Sequence, residues 1–497
     1  MKNTLRTIIA ATLLCITCHA TAQQVTTLYF LENAPMRHTL NPAFQPVNNG
    51  YLNFTPVGYM SMWGGNNSLT MSDLIYKDKQ TGNTITALHP NGDKATLLNT
   101  LQQVTFINGG LDLNLLSFGF RVKASGYFHF NALERIEVGI GTPHELYEFL
   151  LGGGMQNLNG GVNRIDLSRL SLNADIYTEV GFGYSQRINE SWTIGGKMKF
   201  LMGTAAAKIK SMNLGIDASA EEWRINGQGD LLVAGPLQWD KMPQDIEGIG
   251  QIGSDIVDLN DIPYLVKPSG YGAAIDFGFV YKPIEQFQIT ASLSDLGFIC
   301  WTNAHNYHFS IDTTFTGAGE LQYADYMVNG EFSTDSMMSD VKNSMLNVLD
   351  AVHMTDMGGK TFTRMVNGKF NIAIDAKFLE NRLGLGVIAT TRLYRGRLYG
   401  EATIGAALRP CNWFNLALTY SLLNNGKYCN IGAGLSFMPY DGINMTLAMD
   451  YIPTTYAYYD NIPVPYRSRG FNMALGFSIV WGTNHKQKTK DVAPTDL

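Results

Sequence analysis

The sequence predicts an all-β fold, a transmembrane antiparallel up-and-down β-barrel of about 14 strands. Three observations predict it. Apolar and polar residues alternate with period two along segments of ten or more residues. Charged residues make up 16% of the chain, against about 25% in ordinary soluble domains, while glycine (51), Phe (25) and Tyr (24) are plentiful. The first 22 residues read as an export signal. The chain therefore divides into a signal peptide (1–22), an N-terminal plug or hatch (23–49), a β-barrel with extramembrane loops (50–482) and a polar tail (483–497).

Lys2 and Arg6 form the basic start of the signal, and Thr7 to Cys18 is an apolar run too short to span a bilayer. Ala20-Thr21-Ala22 supplies the small residues of a cleavage site, leaving Gln23 first. Neither Cys15 nor Cys18 follows the small residue that a lipoprotein needs. Removing Lys2 and Arg6 takes the formal net charge from −6 to −8. With no basic stripe anywhere, nucleic acid is excluded as a partner.

Residues 23–49 lack strand alternation. Pro35 and Pro42 discourage pairing in a sheet, and Asn41 before Pro42 is biased toward an extended or turn conformation. The segment can bend into a barrel rather than join its wall. Its hatch residues are Leu40, Asn41, Pro42, Ala43 and Phe44, with Leu40 and Phe44 expected against the small inward residues Gly181, Gly183 and Gly476.

The wall follows. From Leu170 to Tyr184, Leu170, Leu172, Ala174, Ile176, Val180 and Phe182 share one face, and Ser171, Asn173, Asp175 and Glu179 the other. The same alternation runs through 370–378, 443–451 and 471–481. Apolar faces begin or end on Trp192, Tyr271, Phe287, Trp413, Tyr451 and Trp481, as interface girdles do. Short polar turns such as Leu379 to Arg382 and Asn424 to Lys427 join strands in series, and in lipid such a meander must close. Spanning strands are expected near 51–62, 113–123, 125–140, 169–187, 191–205, 208–219, 270–283, 285–296, 368–380, 382–396, 397–410, 413–424, 427–438, 442–453 and 469–482. That makes fifteen, and single-chain bacterial barrels have even counts. Fourteen is the expectation, with 51–62 the weakest because Pro56 interrupts it. Segments 222–235, 304–316 and 320–331 alternate weakly and read as extensions beyond the membrane; as wall strands they would raise the count to sixteen or eighteen.

Helical spacing appears in 143–151 and 335–352, with short helices expected at 73–76 and 93–103. Cys300, Cys411 and Cys429 form no disulfide framework, since a strand separates the last two by roughly 30 Å. Gly248 to Gly253 matches G-x-G-x-x-G without a βαβ unit around it, and Gly359-Lys360-Thr361 lacks the first glycine of a phosphate loop. His305 and His308 would point to opposite faces of a strand, so no metal site is expected. A membrane hydrolase would need His129, Glu137, Ser171 or Asp175 to converge. Alternation alone puts such polar residues into any lumen, so the chain reads as a non-enzyme with no catalytic residues and no cofactor. The inward charges, Arg135, Glu137, Asp175, Glu179, Lys197, Lys199, Lys369, Asp375, Lys377 and Asp450, have both signs. That suits a filled lumen better than an ion-selective pore.

Tyr29 to Pro35 followed by Thr39-Leu40-Asn41-Pro42-Ala43-Phe44 resembles the hatch of FadL-type (long-chain fatty-acid transporter) barrels. With Ser294-Asp295-Leu296-Gly297-Phe298-Ile299 and Trp301, the wording looks most like an uncharacterised family of Bacteroidota outer-membrane barrels within that superfamily. The resemblance implies a fourteen-stranded barrel in the cell outer membrane, plugged by its N-terminus, taking up a hydrophobic ligand through the lumen. Relatives of that shape also serve as non-transporting scaffolds or carriers that bind other envelope proteins in secretion. The partners implied are outer-membrane lipid with either a hydrophobic ligand or envelope proteins. The loop from Thr454 to Arg469, rich in tyrosine, suits either role. The chain departs from the usual pattern in the polar tail that follows Trp481.

Overall fold

The computed structural model describes residues 25–55, 58–77, 82, 84–86, 92–151, 163–218, 222–237, 239, 244–247, 267–316, 327–328, 331–332, 350–394, 397–423, 428–440, 442–452, 456–459, 462–465 and 469–482. The expected signal peptide, the tail 483–497, the 248–253 glycine motif and nearly all of the 335–352 patch lie outside them.

The chain forms a closed barrel of 14 antiparallel strands. In chain order they are β1, in two pieces (Gly50–Phe54 and Tyr59–Asn66), β2 (Val104–Val122), β3 (Gly126–Pro143), β4 (Ser171–Arg187), β5 (Trp192–Ala218), β6 (Gly270–Ile284) and β7 (Phe287–Trp301). The second half comprises β8 (Lys369–Phe378), β9 (Leu383–Tyr394), β10 (Arg397–Cys411), β11 (Phe414–Leu423), β12 (Tyr428–Tyr440), β13 (Gly442–Ile452) and β14 (Gly470–Trp481). Each pairs with the next, and β14 closes on both pieces of β1, with Tyr51 opposite Val480 and Tyr59 opposite Gly476. Closure leaves no open edge of the wall in hydrocarbon, where every unpaired backbone group costs several kcal/mol.

The outer face is apolar and bare. Met198 (73% exposed), Phe182 (53%) and Leu418 (54%) stand on it. A belt of this kind would drive aggregation in water and is solvated by lipid. Short turns join the strands at one end. The other end carries the helices Lys94–Thr100, capped by Asp93, and His144–Leu151.

Two corrections concern the wall. The segment 51–62, expected to be the weakest, is a wall strand, broken across 55–58 around Pro56. The surplus segment is 208–219, which continues β5. That strand runs 27 residues, more than twice the ~10 that cross a bilayer. Its lower part pairs with β4 and β6, and its upper part pairs with Glu222–Ala234. The sheet then continues through Ala304–Thr316, His353–Gly359 and Asp245–Glu247, rising past the barrel rim on one side. Segments 222–235 and 304–316 are extensions, as their weak alternation implied.

Candidate functional site: the occupied lumen

Inward positions on β9 to β14 are mostly small and uncharged. Ala407, Ala417, Ala448, Ala474, Thr403, Ser421, Ser436 and Ser478 are all buried there. Against this half of the wall lies the N-terminal segment, two short 3-10 turns, Thr26–Phe30 and Pro35–Thr39. Its Leu28, Tyr29, Phe30, Leu31, Leu40 and Phe44 are buried and share one apolar cluster with the wall alanines. Interdigitation requires glycine at a few wall positions. A Cβ on Gly405 would lie 2.3 Å from the Phe30 ring, and one on Gly434 would lie 2.7 Å from Thr27 and 2.9 Å from Leu31.

Asn41 shows why the Asn-Pro-Ala run takes its form. Its Nδ2 donates to the carbonyls of Phe279 on β6 and Ala291 on β7, both at 3.2 Å, while its Oδ1 accepts from the amide of Ala43 at 2.9 Å. A side chain on Gly278 would strike the Asn41 amide, and one on Gly195 would strike the Pro42 carbonyl. The carbonyl of Leu40 accepts from Ser292 (2.7 Å) and Asn371 (3.3 Å). The glycines expected to receive Leu40 and Phe44 do other work. Gly181 faces Lys197 and Asn131, Gly183 faces His129, and Gly476 faces Thr446 and Tyr59.

Charged groups hold the segment at three further points. The Asp450 carboxylate accepts from the amides of Thr26 (2.6 Å) and Thr27 (3.1 Å), and from both threonine hydroxyls. The Tyr29 hydroxyl donates to Asp375 at 2.5 Å. Glu32 lies 2.6 Å from Lys377 and 3.3 Å from Arg409. Hydrogen bonds to charged groups are each worth about 1.5–3 kcal/mol, so the polar anchors rival the apolar contact.

The opposite half of the lumen is ionic. Arg135 on β3 binds Glu179 on β4 (2.7 Å) and Asp295 on β7 (3.2 Å). Lys197 on β5 binds Glu179 (2.7 Å). Lys199 binds Asp276 on β6 (2.8 Å) and also touches Asp295, while Lys369 reaches Asp295 at 3.3 Å. Arg364 and Asp175 pair at 2.6 Å beside it. Removing one member of such a buried network strands its partners, at a cost of about 3–5 kcal/mol. A cavity of about 20 Å³ lies among Glu137, Asp175, Tyr177, Trp301 and Arg364, with room for roughly one water. Of the inward charges inferred from alternation, Arg135, Glu179, Lys197, Lys199 and Lys369 are brought together here, Asp175 pairs with Arg364, Glu137 accepts from Asn367, and Asp375, Lys377 and Asp450 hold the N-terminal segment instead.

Alternation failed at two bulges, and both aim polar groups inward. Asp295 has φ +61°, and the β6–β7 register shifts beside it, so Ser294 and Asp295 are both buried. Tyr451 has φ +59° where β12 and β13 slip, which turns its side chain off the outer girdle and onto Glu401 (2.9 Å). Bulges re-aim side chains in this way at a local cost in strain. Asp295 stands in the Ser294 to Trp301 wording, yet a strict period of two counted from the outward Phe287 would put it on the lipid face.

The candidate hydrolytic residues do not converge. His129 packs on His38 of the N-terminal segment, ring centroids 4.5 Å apart, and Asp175 is taken by Arg364. His305 and His308 do face opposite ways: His305 meets Asp356 (2.7 Å) and His308 meets Asp230 (3.2 Å). The His308 contact holds the Asp230 carboxyl below its ordinary range, helped by Lys210 and Ser211. Cys411 and Cys429 lie at opposite ends of β11, beside Phe414 and Leu422.

The model of a family of unknown function, DUF5723, matches residues 42–450. The chain belongs to that family. No curated protein matches this DUF5723 member. Among solved structures it is similar to a Pseudomonas aeruginosa FadL homologue, at 8% identity and a TM-score of 0.42, over 94% of this chain and 100% of that one. It is also similar to the P. putida toluene transporter TodX, at 10% identity and 0.41, over 95% and 98%. A third is the Ralstonia pickettii toluene transporter TbuX, at 10% and 0.39, over 91% and 95%.

Proposed function

We propose that this DUF5723 barrel resides in the outer membrane and takes up hydrophobic small molecules, with residues 23–49 acting as a removable hatch. The observation that carries the reading is the division of the lumen. An apolar N-terminal segment, attached by non-covalent anchors, covers a wall half built from alanine, glycine, serine and threonine. Withdrawal of the segment would bare a path lined mostly by small uncharged residues, with Asp450 and the paired Arg392 and Glu401 as its charged points, and wide enough for what the segment itself fills. The ionic half would stay locked by its own pairs and keep the barrel shaped.

A reversible tether tests this. Thr27→Cys with Thr419→Cys joins the segment to β11, because the two side-chain oxygens already lie 2.6 Å apart. With Cys300, Cys411 and Cys429 changed to serine, oxidation should lower uptake of a radiolabelled apolar probe such as toluene at least fivefold in whole cells. Reduction should restore it. Protein-dependent uptake unchanged by the oxidised tether would refute the hatch, and uptake no higher than in cells lacking the protein would favour a non-transporting scaffold.

A further inference from the structure

Glu134 lies on the wrong side of the wall. On β3 the buried inward residues are Tyr127, His129, Asn131, Leu133 and Arg135. Glu134 shares the outer face with Phe128, Phe130, Ala132, Ile136, Val138 and Ile140. Its Oε2 accepts from the hydroxyl of Thr178, its neighbour across β4, at 2.5 Å. Thr178 in turn stands between the outward Ile176 and Val180. Among the described strands of the barrel, Glu134 is the one acidic or basic side chain that the pleat places toward lipid; the other outward polar tips there are neutral, such as the hydroxyls of Tyr184, Tyr271 and Tyr420. Phe128 and Ile140 lie six residues to either side, roughly 15 Å each way along a tilted strand. The carboxyl therefore sits near the middle of the hydrocarbon belt.

Acyl chains offer no hydrogen-bond partner at that depth, and an intramembrane carboxyl marks a function more often than an accident. Thr178 satisfies one oxygen, Oε2, and the pleat holds the carboxyl on the outer face, half-buried. In its neutral form a carboxyl is donor and acceptor at once, so it is complementary to itself. A two-fold contact brings the same residue of two copies together. Ala132 and Ala174, small residues on the same outer face, allow a second wall to approach. Just below, Phe118 stacks on Phe130 at 5.1 Å and Phe182 meets Phe130 edge to face at 5.2 Å, which presents a broad aromatic surface.

We infer that the outer face of β3 and β4 is a homodimer interface in the membrane, with Glu134 paired to Glu134 of a second copy across a two-fold axis. The inference is independent of whether the lumen transports anything.

Disulfide trapping in native membranes tests it. In a chain with Cys300, Cys411 and Cys429 changed to serine, Ala132→Cys should give a covalent dimer with membrane-permeant copper phenanthroline. Phe370→Cys, on the outer face of β8, should give none. Adding Glu134→Gln, whose carboxamide also pairs with itself, should keep the dimer yield within twofold. Adding Glu134→Leu should lower it at least tenfold while the barrel still shows heat-modifiable migration, and Thr178→Leu should lower it too. A purely monomeric Ala132→Cys chain would overturn the inference. So would a cross-link to a different protein alone, or a dimer indifferent to Glu134→Leu.

Discussion

Asp375 and Ile374 are neighbours that face different solvents. Asp375 points into the lumen, buried, where Tyr29 and Gln288 donate to it. Ile374 faces lipid in a run with Ile372 and Phe370. An arginine at the membrane midplane costs roughly 2–4 kcal/mol, and Ile374→Arg should cut the yield of heat-modifiable barrel severalfold. Asp375→Leu should leave that yield within about a third of normal and act instead on the segment, since Tyr29 loses its anchor. Protease added to reconstituted barrels should then clip residues 25–49 faster. A larger loss of assembly from Asp375→Leu than from Ile374→Arg would mean that β8 has the opposite register. Residue by residue, inward and outward were legible wherever the pleat runs unbroken. Asp295 and Tyr451 were not, because a bulge adds a residue without leaving a mark in the hydropathy pattern. Nor were the glycines under the N-terminal segment, since which glycine lies beneath which side chain depends on the path of a chain that has no period of its own.

At the scale of elements, strand alternation reports pairing, not depth. β5 alternates for 27 residues, and nothing in that pattern says where the membrane ends. The upper part found its partner in the hairpin that follows, Glu222–Ala234, so one long strand read as two. The broken β1 read as doubtful for the converse reason. Pro56 interrupts its pattern, yet both pieces find partners in β2 and β14. Because the hairpin stands above the barrel, the wall does not need it. Replacing 208–232 by a two-residue turn, between the paired Ala207 and Val233, should leave an assembled, heat-modifiable barrel with a shorter extension. A loss of assembly in that variant would mean that the upper sheet is part of the spanning wall.

For the molecule as a whole, composition and period-two segments were enough for a closed barrel of fourteen strands, and mixed inward charge was enough to expect charges that pair across strands. The division of the lumen into a mostly uncharged half and an ionic half was not legible. It depends on which strands become neighbours around the ring, and on where the N-terminal segment comes to rest against them. That division is also what the functional account stands on, and one measurement addresses it most directly. Deleting residues 24–48 behind the signal should leave the barrel assembled, because the ion pairs among β3 to β8 do not involve the segment. In planar lipid bilayers the deleted form should then conduct in discrete steps at least several times larger than any seen with the full chain. An assembled barrel whose conductance is unchanged by the deletion would contradict the account, since the ionic half alone would then be closing the lumen.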